Sequence, residues 1–354
     1  MTSDLRALLA AIAADPADDT LRLAYADCLE ESGNAPRAEF IRLQVEAERL
    51  HPHSNARGAL EDRARTLFEQ NWRGWWEEVC EAVGMDPTGY QLVGTALRGM
   101  RTEPEVPARE EDAEDPLDLD QVAFRRGFPE SVMFSALASS RKPVRESLLR
   151  WNRVSPLVEI ASSGWRPDQP SWWPRGSYLQ TVRAAAFQSY GPDGLSRVLR
   201  TPDLANVERL TLLPCYNRDS RLDEVKAVLK ASCVRQLRHV RLPVVNAETV
   251  AALSAAGTFP TLDSLCADVR YGSDDNELTR RLTNLAAVPW APQLSSLEIR
   301  GHIGERELEV ICRHPAWARL RRLGLVRLYQ PNTFKAFAAD RYLSRSRRTP
   351  SRRR

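Results

Sequence analysis

A frame of the form L-x-x-L-x-L, with other apolar residues standing in for leucine, returns six times in the second half of this chain. It reads Leu179, Val182, Ala184, then Val207, Leu210, Leu212, then Leu237, Val240, Leu242. It continues as Leu262, Leu265, Ala267, then Leu294, Leu297, Ile299, and ends with Leu320, Leu323, Leu325. The middle positions are spaced by about 28 residues, within the range of leucine-rich repeats. Between the frames lie runs with helical character, at 223–231, 247–256, 276–287 and 305–313. A unit of one short strand and one helix cannot bury its apolar face alone, so the units are expected to stack on one another. The predicted fold is an α/β solenoid, an irregular leucine-rich-repeat-like array of parallel strands plus helices over residues 121–332.

The first eighty residues follow a different period. Leu5, Leu8, Leu9 and Ile12 fall on one helical face, with Ser3 placed to cap and Pro16 beyond the end. Leu21, Ala24, Tyr25, Cys28 and Leu29 form a second stripe, opened by Asp18 or Asp19 and closed by Gly33. Phe40, Leu43, Ala47 and Leu50 form a third, and Leu60, Ala64, Leu67, Phe68, Trp72 and Trp75 a fourth. Four short amphipathic helices make a small all-α domain over residues 1–80. Residues 81–120 are expected to connect the two parts, and 333–354 to hold a short helix and a basic tail.

Two runs carry a family likeness. DPADDTLRLAYADCLEESGNAPRAEFIRLQ, residues 15–44, closely resembles the bacterial repeat-companion domain, whose hallmark is an LRLAYADWLEE-G…RAEFIRLQ run. FRRGFPESV, residues 124–132, resembles the segment that opens the leucine-rich array in such proteins. Where that family has Trp, this chain has Cys28. The resemblance implies an architecture and no activity.

Charge is unevenly distributed. The net charge is +3, but residues 341–354 hold seven arginines and no acid, whereas 101–120 hold nine acids against two arginines. Neither composition can bury a core, so both are expected to be exposed tethers. The arginine tail could contact nucleic acid weakly through phosphates. No stretch approaches the ~20 apolar residues of a membrane span. Asp4 and the helical spacing of residues 5–14 argue against a secretory signal, so the expected location is cytoplasmic.

Chemistry-bearing patterns are scarce. The six cysteines are scattered with no CxxC pair, the five histidines show no metal-ligand spacing, and the glycines form no phosphate loop. Cys312 and His314, two residues apart on a helix end, would face different ways. No catalytic residue, metal or cofactor is expected, and the chain is read as a non-enzyme. The tryptophans at 72, 75, 76, 165, 172 and 173 are expected to cover the junction of helices and array rather than to form a cation cage.

The sharper expectation concerns the strand residues that flank each central leucine and line the concave sheet. Arg183, Arg209, His239, Arg241 and Arg322, with Arg300 one outward position further, make a basic stripe suited to an acidic protein partner.

Overall fold

The computed structural model describes residues 2–50, 54–93, 96–99, 119–135, 150–151, 154–165, 177–189, 192–213, 221–242, 246–255, 259–268, 277–301 and 305–326. The acidic run, apart from its last two residues, and the arginine tail lie outside these, as do Trp172 and Trp173.

Four helices open the chain: α1 (Ser3–Ala14), α2 (Asp19–Glu31), α3 (Ala35–Arg49) and α4 (Asn55–Val83). Thr2, rather than Ser3, caps α1 by accepting from the Leu5 amide, and Asp18 caps α2 by accepting from Thr20. Each helix packs on the next. Leu5, Leu9, Ile12, Tyr25, Ala26, Leu29, Ile41 and Val45 bury one core between α1, α2 and one face of α3. The opposite face of α3, with Phe40 and Leu43, joins Phe68, Trp75 and Trp76 of α4 in a second core. That second core runs on without a break into the sheet, so the two tryptophans do lie at the junction of helices and strands.

Eleven strands form one sheet whose spatial order is the chain order. Strands β1 (Tyr90–Val93), β2 (Ala96–Gly99), β3 (Leu119–Arg125) and β4 (Phe128–Ser135) pair antiparallel. The first two fall in the segment expected only to connect. From β4 onward every pairing is parallel, through β5 (Glu159–Trp165), β6 (Ala184–Ser189), β7 (Arg209–Leu213), β8 (His239–Leu242), β9 (Ser264–Asp268), β10 (Ser296–Arg300) and β11 (Arg322–Val326). Five described helices alternate with these strands: α5 (Pro192–Leu199), α6 (Arg221–Leu229), α7 (Ala247–Ala255), α8 (Glu277–Ala286) and α9 (Glu305–Arg313). The class is α/β with an N-terminal helical region.

The register explains the leucine spacing. Val132, Ile160, Ala185, Leu210, Val240, Leu265, Leu297 and Leu323 face one another across successive strands as one continuous row. All but Leu323 are at most 3% exposed, and each buried Val, Leu or Ile contributes roughly 1.5–3 kcal/mol by leaving water. Leu195, Val198, Val225, Val228, Leu253, Leu282, Leu285 and Ile311, from the alternating helices, bury the same side of the sheet.

The first of the six frames needs correction. Val182, just before β6, and Ala185 and Phe187 within it take the core positions, three residues later than Leu179, Val182 and Ala184. Leu179 belongs instead to a 3-10 turn, Ser177–Thr181, like Leu204 in the turn Pro202–Leu204 of the following unit. Alanines at 184, 185 and 186 are apolar on both faces, so their sequence does not say which one points inward.

At the foot of each parallel strand one carbonyl accepts two amides from the next unit. Val158 accepts from Arg183 and Ala184, Arg183 from Glu208 and Arg209, and Glu208 from Arg238 and His239. Arg238, Asp263 and Ser295 repeat the arrangement. These bonds hold consecutive units in step whatever the length of the segment between them.

The β3–β4 hairpin locks helices to sheet. Arg126 and Gly127 both have positive φ, 45° and 87°, as a two-residue turn of the twist-matched type requires. Gly127 donates its amide to Gln44 Oε1 at 2.7 Å, and a Cβ there would sit 2.0 Å from Ile41 Cγ1. Phe128 beside it packs at a tilt against Tyr25, ring centres 5.2 Å apart, with the Arg22 guanidinium over its face. Arg22 meets Glu130 at 2.5 Å, and Arg126 approaches the other Glu130 oxygen at 3.3 Å. Runs 15–44 and 124–132 therefore touch each other: Arg22, Tyr25, Ile41 and Gln44 come from one, and Arg126, Gly127, Phe128 and Glu130 from the other.

Candidate functional site

Side chains alternate across a strand, so residues between the core positions emerge on the side of the sheet away from the helices. Three rows cross that face, opposite the described helices. The first runs Glu159, Ala184, Arg209, His239, Ser264, Ser296, Arg322. The second runs Ala161, Ala186, Thr211, Arg241, Cys266, Glu298, Gly324, and the third, at the far end, Asp268, Arg300, Val326.

Five of the six expected basic residues lie on these rows, and Arg183 does not. It precedes β6, in line with Glu208, Arg238 and Asp263, and its guanidinium donates to the Gln180 carbonyl at 2.7 Å. The three-residue displacement of the first frame accounts for this. Ala184 and Ala186 occupy the strand positions assigned to that unit.

The face is also less basic than the arginines alone suggest. Arg241 donates to Asp268 Oδ2 at 3.4 Å, both side chains nearly buried. Arg300 donates through Nε to Glu298 Oε1 at 2.6 Å, and the Cys266 thiol reaches the same oxygen at 3.6 Å. Asp268 Oδ1 is buried and has no hydrogen-bond partner among the described residues. Burial raises the Asp268 carboxyl above the ordinary carboxylate range, against the pull of Arg241 and then Arg300. Burial likewise pushes the Cys266 thiol up, with Glu298 adding to it, so the sulfur remains a neutral thiol. Sequence alternation extended by one position on β9 would have found Asp268, as it found Arg300 on β10.

His239 is not a cation at neutral pH. Half-burial, and then the neighbouring Arg209, lower its pKa from the ordinary 6.5. Arg209 and Arg322 remain as exposed guanidiniums in the first row. They stand four strands apart, a separation of about 19 Å at the usual strand spacing. Between them lie neutral His239, Ser264 and Ser296, with the balanced Arg241–Asp268 and Glu298–Arg300 pairs alongside.

Toward β4 the same face changes character. Met133, Ala161 and Ala186 form a small buried apolar cluster. Glu159 beside it pairs with Arg125.

No group of three or more His, Cys, Asp or Glu among the described residues could hold a metal ion, and no helix there is long and apolar enough to cross a membrane. Comparison with protein-family models, with curated proteins and with solved structures gives no match. The geometry of the face must carry the functional reading.

Proposed function

We propose that the chain is a non-enzymatic interaction scaffold: an irregular leucine-rich-repeat-like solenoid, fronted by a repeat-companion-like helical head, that docks an acidic segment of another protein on the sheet face opposite the described helices. The observation that carries this reading is the placement of two exposed guanidiniums, Arg209 and Arg322, on either side of a neutral stretch of the first row, with the charges of the rows alongside already paired. A partner gains most by bringing carboxylates to those two ends, because Arg241 and Arg300 have their own acids. An extended peptide covers the ~19 Å between them in about six residues. The partner feature that fits is two acidic clusters about six residues apart, with small polar residues between. The likeness of residues 15–44 and 124–132 to the repeat-companion family supports the architecture in this reading and not the partner.

Fluorescence anisotropy with labelled peptides tests it. Peptides with two Glu pairs six residues apart should bind more tightly than those with the pairs adjacent. The double substitution Arg209→Glu and Arg322→Glu should abolish the difference. Equal binding of both peptides, or indifference to the double substitution, would sink the reading.

A further inference from the structure

The last described unit departs from its predecessors at the strand feet. Two residues ahead of the foot, Thr181, Asn206, Thr261 and Gln293 each donate a side-chain hydrogen bond back to a carbonyl of an earlier unit. The acceptors are Leu157, Gln180, Arg235 and Phe259. Arg319 holds that place ahead of β11, and Arg321 holds the foot, in line with Glu208, Arg238, Asp263 and Ser295. Both residues are exposed, and neither guanidinium has a hydrogen-bond or ion-pair partner among the described residues.

A cleft of about 580 Å³ opens here, with Asp263, Gln293, Ser295, Arg319 and Arg321 as its polar walls. Asp263 stands two strands from Arg321, about 10 Å at the usual strand spacing. The acid at one end therefore leaves the cations at the other unneutralised. The charge of the chain gathers at the same place. From Arg319 onward the sequence holds twelve Arg or Lys and one acid, Asp340, whereas the residues before it are net acidic. Nine of the twelve follow β11, in residues 327–354. A polyanion is attracted to this end and held off by the rest.

Two guanidiniums on one wall suit phosphates, which they can take bidentately. Asp263 repels a phosphate but accepts from a hydroxyl. A polymer with a hydroxyl beside every phosphate is RNA, and its 2′-OH is the group by which a protein tells it from DNA.

We propose that the cleft at the feet of β9, β10 and β11 is a site for the RNA backbone. Arg319 and Arg321 hold phosphates, Asp263 accepts from a ribose 2′-hydroxyl, and the basic residues of 327–354 add attraction that is indifferent to sequence. The cleft lies at the strand ends and not on the face that carries Arg209, so binding at the two places can be tested separately.

Fluorescence anisotropy of the full chain with a labelled single-stranded RNA of about twelve nucleotides, and with DNA of the same sequence, tests this. RNA should bind tighter by about threefold or more, and Asp263→Ala should erase that preference. Arg319→Glu with Arg321→Glu should weaken RNA binding at least about tenfold, and Arg319→Gln with Arg321→Gln should lower the salt slope by about 1.4, at ~0.7 for each phosphate contact on a single strand. Arg209→Glu should leave the affinity within about twofold, and circular dichroism should show all variants folded. RNA binding indifferent to both double variants, and so carried by residues 327–354 alone, overturns the site. Equal affinity for RNA and DNA, or for polyglutamate of equal charge, overturns the choice of RNA.

Discussion

Arg22 of the second helix and Glu130 of the fourth strand meet at 2.5 Å with 0% and 1% of their side chains exposed. Burial lowers the arginine's pKa and raises the carboxyl's, while their mutual attraction opposes both shifts. Arg22 also donates to the Pro16 carbonyl at 2.7 Å, and Arg126 bridges Glu130 toward Asp19 and Glu48. The helical region and the sheet are therefore joined by charge as well as by a shared apolar core.

Removing one partner of this pair strands the other. Glu130→Gln should lower unfolding free energy by about 3–5 kcal/mol, the usual cost of an uncompensated buried charge. Arg22→Met with Glu130→Leu should recover much of that loss. Urea denaturation followed by tryptophan fluorescence measures both, and equal stability of the single and double variants would count against the junction.

The hairpin turn should resist any side chain at its second position. Gly127→Ala meets Ile41 and also forces a non-glycine residue to φ 87°. Adding Ile41→Ala relieves the first problem only, so about 1–2 kcal/mol of backbone cost should persist in the double variant. Thermal melts of the two variants and of Ile41→Ala alone separate the terms.

Proton NMR should show His239 titrating below 6.5. Arg209→Ala removes a positive neighbour and should raise that midpoint. Because the folded-state value lies below the unfolded one, the histidine's stability contribution is complete above the ordinary imidazole range and is lost as pH falls through it. A midpoint at or above 6.5 would contradict the half-buried placement.

Arg241 and Asp268 should couple. Each of Arg241→Gln and Asp268→Asn leaves a nearly buried charge without its partner, whereas the double variant leaves none. A double-mutant cycle should show the paired change costing less than the sum of the single changes, by about 1–3 kcal/mol.

Leu297→Ala should cost about 2–5 kcal/mol, as for any well-packed leucine. Leu325→Ala, one strand on and 43% exposed, should cost well under half of that.

The parallel row was legible where the core residues were large. Leu210, Val240, Leu265, Leu297 and Leu323 announce themselves by spacing, and all five align across neighbouring strands. The frame slipped where Ala184, Ala185 and Ala186 offered three apolar residues of one size, and Arg183 was misplaced with it. Ile160 and Val132 also belong to the row but went unread, since Ser162 interrupts one pattern and Pro129 the other. On the face, outward positions could be read from alternation, whereas charge pairing could not. Whether Arg241 finds Asp268 depends on a diagonal contact between adjacent strands, 27 residues apart in the chain, a relation that spacing along one strand does not encode. The junction was visible only as two motifs, because nothing in either one names the other as its partner.

Among the described strands, neighbours in the sheet are neighbours in the chain, and the recurring two-amide carbonyl sits at the strand foot rather than in the connecting segment. Lengthening a connection therefore disturbs no rung, and an added or deleted unit leaves its flanking neighbours with the same bonds to make. The architecture can change in length one coil at a time, by duplication or loss, without passing through an unfoldable intermediate.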